Sequence, residues 1–409
     1  MASPATAQQN AMQNNAIARA LIKAQSTTCR QIIYNNTVTN PAGAVLNIPV
    51  RPVGLVLGFF VEISAVLTNT DGANAVTPTD FAGWNLLQQV NFVDLNNFTR
   101  IQTTGQHIGM LNSVRQRHPY MSALFSNGNV PGTQATIGYD APQALGPNWT
   151  ISSATPSISA SGGTGTVKQN FYVPLAYSPN DLRGAIYAGV INATMQLGLV
   201  FNQFPGVVSG DSTNAVYTGS ASVAITSAAI TITQHYLDQL PVAKNGYPVL
   251  PVIDTNTVYE LKNTFLTGLS NGQDFAIPYT NYRDFLSVIL VYNDGTATNG
   301  GRPKLTGSQA SNLNYVAVQT ANFFNPIKNT PYLQAALQRN VGATVSDLPP
   351  GVYYFPSREK PVSTTQTGNQ QIILNPANLG SVQNPYVQAY FEDFGILSAL
   401  TQAGSLASS

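Results

Sequence analysis

The chain has 409 residues, and 43% of them are hydrophobic, which is enough apolar material for about two or three folded domains. Charged residues make up only 9%, against about 25% in an average soluble protein, and 18 basic and 17 acidic side chains leave a net charge of +1. A nucleic-acid-binding surface needs a basic excess to neutralise phosphates, so we expect no direct nucleic-acid role. Low charge also gives little repulsion between copies and therefore favours assembly.

Cys29 is the only cysteine, which excludes an internal disulfide bond and a multi-cysteine metal site. The beginning of the sequence has neither the basic nor the apolar segment of a secretory signal, and no apolar run approaches the ~20 residues of a membrane helix. We therefore expect a chain that is made and folded in a cytoplasm, without a cofactor.

Residues 4–25 predict an N-terminal helical arm, because Pro4 suits a first helical turn and small apolar side chains follow at helical spacing. This apolar stripe consists of Ala16, Ile17, Ala20, Leu21 and Ala24. A stripe so narrow makes the helix marginal when isolated, so the helix needs a partner. One interpretation is that the arm docks on its own domain.

The charge of this N-terminal region allows a second interpretation. The first 61 residues contain four basic residues and no acidic one. A locally basic, amphipathic arm suits contact with anionic lipid or with an acidic neighbour. A solvated helix face explains the same pattern without any partner, so the alternatives stay open at this point.

From Cys29 onward, short segments that alternate apolar and polar residues are separated by Gly, Pro, Asn and Asp, which predicts β-strands with one buried face. In the first half the predicted strands are residues 31–38, 45–50, 54–67, 88–94, 168–175, 194–202 and 222–238. In the second half they are residues 257–265, 274–278, 285–292, 351–355, 371–375 and 386–394.

Helical spacing interrupts the strands at residues 105–117, 180–187 and 331–339. The first and third of these segments lie at comparable places in the two halves of the chain. Residues 152–166 form a Ser/Thr/Gly/Ala tract, which predicts an exposed insertion loop.

A connector divides the strands into two sets of similar size, because Pro241, Gly246 and Pro251 interrupt regular structure there. Two β-sandwich units are the simplest interpretation. The predicted division is a helical arm at 1–28, a first sandwich at 29–240, the connector at 241–251, a second sandwich at 252–395 and a flexible tail at 396–409.

Motifs for metal binding or nucleophilic catalysis are weak. The three histidines form no metal-binding pattern; they are His107, His118 and His235. Residues 268–272 match G-x-S-x-G around Ser270, but strand character follows the motif, so a hairpin turn explains it better than a nucleophile elbow.

The only adjacent pair of acidic residues is Glu392 and Asp393. Neighbours on a strand point to opposite faces, so these two carboxylates do not flank one glycosidic bond. We therefore expect that the chain is not an enzyme.

Four blocks of sequence carry a resemblance to a known family, in the same order along the chain: residues 173–178, 236–254, 320–323 and 351–361. The second block contains the connector residues Tyr236, Asp238, Leu240, Pro241, Gly246 and Pro251. Together the blocks resemble the major capsid proteins of tectiviruses, icosahedral bacteriophages with a membrane inside the shell.

The resemblance implies an all-β fold, a double jelly roll of two eight-stranded antiparallel β-sandwiches with an N-terminal helical arm and short helices between strands. It implies a virion protein whose homotrimers form pseudo-hexagonal tiles of an icosahedral shell over an internal membrane. The implied partners are neighbouring trimers, minor capsid and vertex proteins, and the underlying membrane.

In the family the arm lies beneath the shell, so the resemblance implies membrane or shell contacts for four residues of this chain: Ile17, Arg19, Leu21 and Lys23. The tail at 396–409 is implied to adapt to different neighbours.

Two alternatives stay open. The first is a jelly-roll vertex or spike protein that binds a receptor or glycan through exposed aromatic residues, for which Trp84 and Trp149 are the only tryptophans. The second is a carbohydrate-active β-sandwich enzyme.

Overall fold

The computed structural model describes residues 4–114, 149–151, 157–178, 180–189, 194–278, 284–303, 307–319, 327–334, 349–356, 362–363 and 371–396. The helices are α1 (Pro4–Gln25), α2 (Gly105–Val114) and α3 (Val252–Asn256), and residues 331–334 form one further helical turn. All other regular structure in these ranges is β-strand or short 3-10 helix, so the predicted all-β class is confirmed.

The strands fall into two sets. The first set is β1 (Thr27–Thr39), β2 (Val45–Pro49), β3 (Leu55–Asn69), β4 (Thr77–Pro78), β5 (Leu87–Val93), β6 (Thr99–Thr103), β7 (Trp149–Ile151), β8 (Gly163–Pro174), β9 (Ile186–Tyr187), β10 (Gln196–Phe201), β11 (Gly206–Val207), β12 (Tyr217–Thr218) and β13 (Val223–Asp238). The second set is β14 (Thr257–Thr267), β15 (Phe275–Pro278), β16 (Asp284–Asn293), β17 (Leu313–Gln319), β18 (Ile327–Asn329), β19 (Val352–Pro356), β20 (Val362–Ser363), β21 (Gln371–Pro376) and β22 (Tyr386–Ile396).

Each set builds a jelly roll. In the first roll one sheet has the order β1-β13-β3-β8 and the facing sheet has the order β2-β10-β5-β6. In the second roll the corresponding orders are β14-β22-β16-β19 and β15-β21-β17-β18. When the eight main strands of either roll are numbered along the chain, both rolls read 1-8-3-6 and 2-7-4-5, which is the jelly-roll order of two Greek keys. The double jelly roll is confirmed.

The two rolls share one continuous sheet. Strand β6 of the first roll pairs in parallel with β14 of the second, with Ile101 opposite Leu261 and Gln102 opposite Lys262. The sheet β14-β22-β16-β19 is covered on both faces, because alternate residues of β16 join different cores. Ile289 packs in the core of the first roll, whereas Val288 packs in that of the second. This double burial explains why residues 288–292 of β16 have no charged or strongly polar side chain.

Some local predictions are wrong. Residues 180–187 form turns and β9 instead of a helix, because the Ser178 hydroxyl accepts the Asp181 N–H and the Asp181 carboxylate accepts the Arg183 N–H. Such local side-chain bonds compete with helical hydrogen bonding. Residues 163–166 of the predicted insertion loop begin β8, while 152–156 lie outside the described residues. The turn at 268–272 exists, but it joins strands of opposite sheets and is not a hairpin.

Candidate shell-contact surface

The N-terminal arm docks on the segment that joins the two rolls. Ile22 of α1 is fully buried in a small apolar cluster with Leu55, Leu182 and Leu237. Ala18, one turn earlier, is 5% exposed. The cluster belongs to the first roll, and its Leu237 stands at the end of β13, where the connector begins. The arm is therefore part of the folded unit, held first by apolar burial.

A polar contact fixes the arm to the second roll. The guanidinium of Arg19 binds the carboxylate of Asp254 in α3 with two hydrogen bonds, Nε to Oδ2 at 2.8 Å and Nη2 to Oδ1 at 2.6 Å. Asn15 donates its amide to Asp254 Oδ1 at 3.0 Å and accepts the backbone N–H of Ile253 at 2.9 Å. The Asp254 side chain is only 1% exposed, so this carboxylate depends on the arm for its partners.

The charges around this contact reinforce one another. The hydrogen bond to Asp254 is the main reason that the pKa of Arg19 is raised, and burial opposes it. Asp181 lies 4.0 Å from Arg19 and pairs with Arg183. Burial of Asp181 acts to raise its pKa, but the hydrogen bond and charge of Arg183, with the charge of Arg19, together hold that pKa below its usual value. Arg19 and Asp181 are therefore both charged at neutral pH.

The face of the arm that docks differs from the predicted stripe. Asn15, Ala18 and Ile22 are buried, whereas most of the predicted stripe faces outward: Ala16, Ile17, Ala20 and Ala24 are exposed and Leu21 is half-buried. The prediction followed hydrophobicity alone, and the structure selects the face whose Asn15 and Arg19 complement a buried carboxylate.

The predicted contact residues thus lie in different environments. Ile17 is 51% exposed and Lys23 is exposed, so both are open to an outside partner. Arg19 is bound to Asp254 of its own chain, a pairing that sequence reasoning missed. No local signal could have found it, since 235 residues separate the two.

The connector residues frame the docking site. Tyr236, Pro241 and Pro251 are buried, Leu240 is half-buried, and Asp238 and Gly246 are exposed. Gly246 lies in the turn at 243–247 with a φ of 82°, a left-handed conformation that glycine adopts without steric cost. Three apolar residues in or near the connector are exposed: Val242 at 64%, Tyr247 at 71% and Val252 at 62%. The end of the molecule that carries the arm therefore presents apolar side chains to its surroundings.

The residues described form no metal-binding cluster, since no group of three or more His, Cys, Asp or Glu residues in those ranges could hold a metal ion. In the same ranges no helix is long and apolar enough to cross a membrane. His107 contacts Thr103 at 2.7 Å, and His235 contacts Tyr172 at 3.1 Å. His118 lies outside the described residues.

The acidic candidate Glu392 is buried in a sheet, whereas the nucleophilic candidate Ser270 is exposed in a turn. Glu392 accepts hydrogen bonds from the hydroxyls of Tyr259 at 2.7 Å and Ser287 at 2.6 Å, inside the sheet that is covered on both faces. Ser270 is exposed in a turn that leads into β15, without the following helix of a nucleophile elbow.

Comparison with known families covers nearly the whole chain. Residues 1–240 match the P3 major capsid protein N-terminal family, and residues 256–408 match the P3 major capsid protein C-terminal family. A relative, the major capsid protein P3 of Enterobacteria phage PRD1, is 33% identical over 403 residues, which cover 97% of this chain and 95% of the relative.

Solved structures share the fold at low sequence identity. The crystal structure of the STIV MCP superposes with a TM-score of 0.59 at 13% identity, covering 90% of this chain and 97% of that one. The Faustovirus major capsid protein superposes with a TM-score of 0.53 at 11% identity, covering 90% of both chains.

Proposed function

The chain belongs to the P3 major capsid protein family, whose members are structural capsid proteins and not enzymes, and we propose that it works as a homotrimer that tiles an icosahedral virion shell over an internal lipid membrane. One observation carries this proposal. Each chain holds two complete jelly rolls joined by the β6–β14 pair, so three chains around an axis present six similar rolls. Six rolls give a nearly hexagonal outline, which packs without gaps.

The division of the chain into arm, two rolls, connector and tail is part of this proposal, with boundaries at 1–28, 29–240, 241–251, 252–395 and 396–409. The tail adapts to different neighbours in the shell, and minor capsid and vertex proteins fill its special positions. Synthesis takes place in the host cytoplasm, before assembly into the virion.

We place the arm at the membrane side of the shell. Ile17 and Lys23 project from the outward face of α1, where an apolar side chain and an ammonium group suit the interface of an anionic bilayer. Leu21 stands at the edge of this face. Arg19 contributes to docking instead, since Asp254 already neutralises its charge.

The alternative of a spike protein that binds a receptor or glycan needs exposed aromatic side chains. Trp84 is only 2% exposed in the core of the first roll, so it offers no such platform. The side chain of Trp149 lies outside what the structure describes.

Two variants test the role of the arm. Deletion of residues 1–25 should leave a folded trimer but give particles that fail to close or that lack lipid. Because this deletion also uncovers Leu55 and Leu237, the double substitution Ile17→Asp and Lys23→Glu is the cleaner test, since neither side chain is buried. Closed, lipid-filled particles from the double variant would contradict a membrane role.

A further inference from the structure

The segment after the fifth strand has the same local structure in both rolls. In the first roll Thr104 follows β6 and precedes α2, and its hydroxyl oxygen accepts the backbone N–H of His107 at 3.2 Å. In the second roll Thr330 follows β18 and precedes the turn at 331–334, and its hydroxyl oxygen accepts the backbone N–H of Leu333 at 3.4 Å. A threonine cap stands at the same distance from the strand in each case, so the two segments are structurally equivalent.

The segment in the first roll has its partner within the chain. Gln106 and His107 are each 1% exposed because they pack on β22 of the second roll. Gln106 Oε1 accepts the hydroxyl of Tyr390 at 2.6 Å, and the His107 ring stacks on the Tyr390 ring at 4.9 Å between centroids. Beside this contact β6 pairs with β14. The fifth strand and the following helix of one roll thus cover the first and eighth strands of the next.

The equivalent segment of the second roll, residues 327–334, has exposed side chains where the first roll has buried ones. Tyr332 and Leu333 are the equivalents of Gln106 and His107, yet they are 57% and 46% exposed. Within the described ranges β18 pairs with β17 alone, so its other edge is unoccupied there. The docking elements of the second roll are therefore present without the surface on which their counterparts dock.

The surface of the first roll that corresponds to β14 and β22 is also exposed. Its first and eighth strands are β1 and β13, the counterparts of β14 and β22. As far as the chain is described, β1 pairs with β13 alone, and none of its 13 residues is buried. A 13-residue edge without proline is long for a sheet margin that stays exposed, since such edges invite pairing with another strand. By contrast, β2 and β15 are short and end in proline.

The outward face of β1 and β13 is uncharged except at its Arg30 end, and it suits a partner without basic residues at that end. Opposite residues on two paired strands share a face, and the buried Ile230 and Ile232 identify the inward one. From residue 32 of β1 onward the outward positions are Ile32, Asn35, Thr37 and Thr39, opposite Thr233, Thr231, Ala229 and Ser227 of β13. These eight residues are uncharged and Ile32 is 53% exposed, whereas Arg30, two residues before Ile32 and opposite His235, is an exposed charged residue on the same face.

We propose that, in the homotrimer on which this inference rests, β18 and the turn at 331–334 of one copy dock on β1 and β13 of the next copy. The contact reproduces between copies the junction that joins the two rolls within a chain, with Tyr332 and Leu333 packing near Ile32 and Thr233. It is a head-to-tail contact between different surfaces, and such contacts form closed rings when the rotation closes. Three copies supply three internal and three intermolecular junctions around six rolls.

Disulfide crosslinking tests this geometry directly. In a Cys29→Ser background, Leu333→Cys combined with Thr233→Cys should link neighbouring copies, so that mild oxidation gives covalent trimers on a non-reducing gel. The matched control combines Thr233→Cys with Val382→Cys, another exposed residue of the second roll, and should stay at the size of one chain. A trimer in solution that forms no link through Leu333→Cys, or links equally through Val382→Cys, overturns the proposal.

Charge substitution gives an independent test. Leu333→Lys, which faces Arg30 across the proposed contact, should raise the trimer dissociation constant at least tenfold in sedimentation velocity, whereas Val382→Lys adds the same charge and should not. Thr233→Glu should restore part of the loss in the Leu333→Lys chain. Equal effects of the two lysines contradict the interface. A wild-type chain that sediments as a monomer contradicts the proposed homotrimer itself, so the two failures are distinguishable.

Discussion

Replacement of Arg19 by alanine should release the arm while both jelly rolls stay folded. Arg19 supplies two hydrogen bonds to Asp254, whose side chain is 1% exposed, and its own side chain is 31% exposed. Removal of one partner from a fully buried pair costs about 3–5 kcal/mol, and partial exposure of the arginine reduces this to about 2–3 kcal/mol. The equilibrium constant for docking of the arm should therefore fall roughly 30- to 150-fold.

Amide hydrogen exchange along α1 measures this equilibrium. Protection of the amides near Ala18 and Ile22 should fall by that factor in Arg19→Ala, while protection in β3 and β13 stays unchanged. Lys23→Ala is the matched control, because Lys23 is exposed on the same helix. Asp254→Asn in the Arg19→Ala chain should recover part of the docking, since it removes the stranded buried charge. Equal protection in Arg19→Ala and the wild type would refute the reasoning.

Two further outcomes follow from the structure. A Cβ on Gly109 of α2 would overlap the buried indole of Trp84, so Gly109→Ala should destabilise the fold by about 2 kcal/mol in urea unfolding. Gly72 has open space around it, so the control Gly72→Ala should change the stability by less than about 0.5 kcal/mol. Similar midpoints for the two variants would contradict this packing. Burial acts to raise the pKa of Asp181, but Arg183 holds that pKa below its usual value. The lowered pKa adds stability that is present above the unfolded pKa of about 3.9 and is lost as pH falls through the folded pKa. Arm protection should thus be constant from pH 7 to 5 and weaken below about pH 4, and Asp181→Asn should flatten that weakening.

The sequence was sufficient to predict most long strands, because alternation and turn residues report one buried face directly. It did not reveal β6, although this strand joins the two rolls. The strand Thr99–Thr103 is short and contains Arg100, which the sequence alone would place in solvent. The Arg100 side chain is only 3% exposed, and its Nε lies 2.7 Å from Asp94 Oδ2. Burial is the main reason that the pKa of Arg100 is lowered, and the charge of Asp94 opposes it. A buried ion pair leaves no periodic signal.

The candidate contact surface was predictable only in part. Composition and spacing correctly indicated a helical arm, and helical spacing correctly marked the beginnings of α2 and of the turn at 331–334. The docked face of the arm was predicted wrongly, because Asn15 and Arg19 are selected by a carboxylate that lies far away in sequence. The equivalence of the segments after β6 and β18 likewise becomes visible only once both threonine caps are placed.

Two jelly rolls per chain, tiled threefold, are what we propose this protein contributes to a shell. The most direct test is the mass of the purified chain in solution, measured by sedimentation equilibrium, together with class averages from electron microscopy. We predict a particle with three times the 43.5 kDa of one chain and six densities around its axis. A monomer or dimer at micromolar concentration, or a trimer with only three densities, would contradict the account.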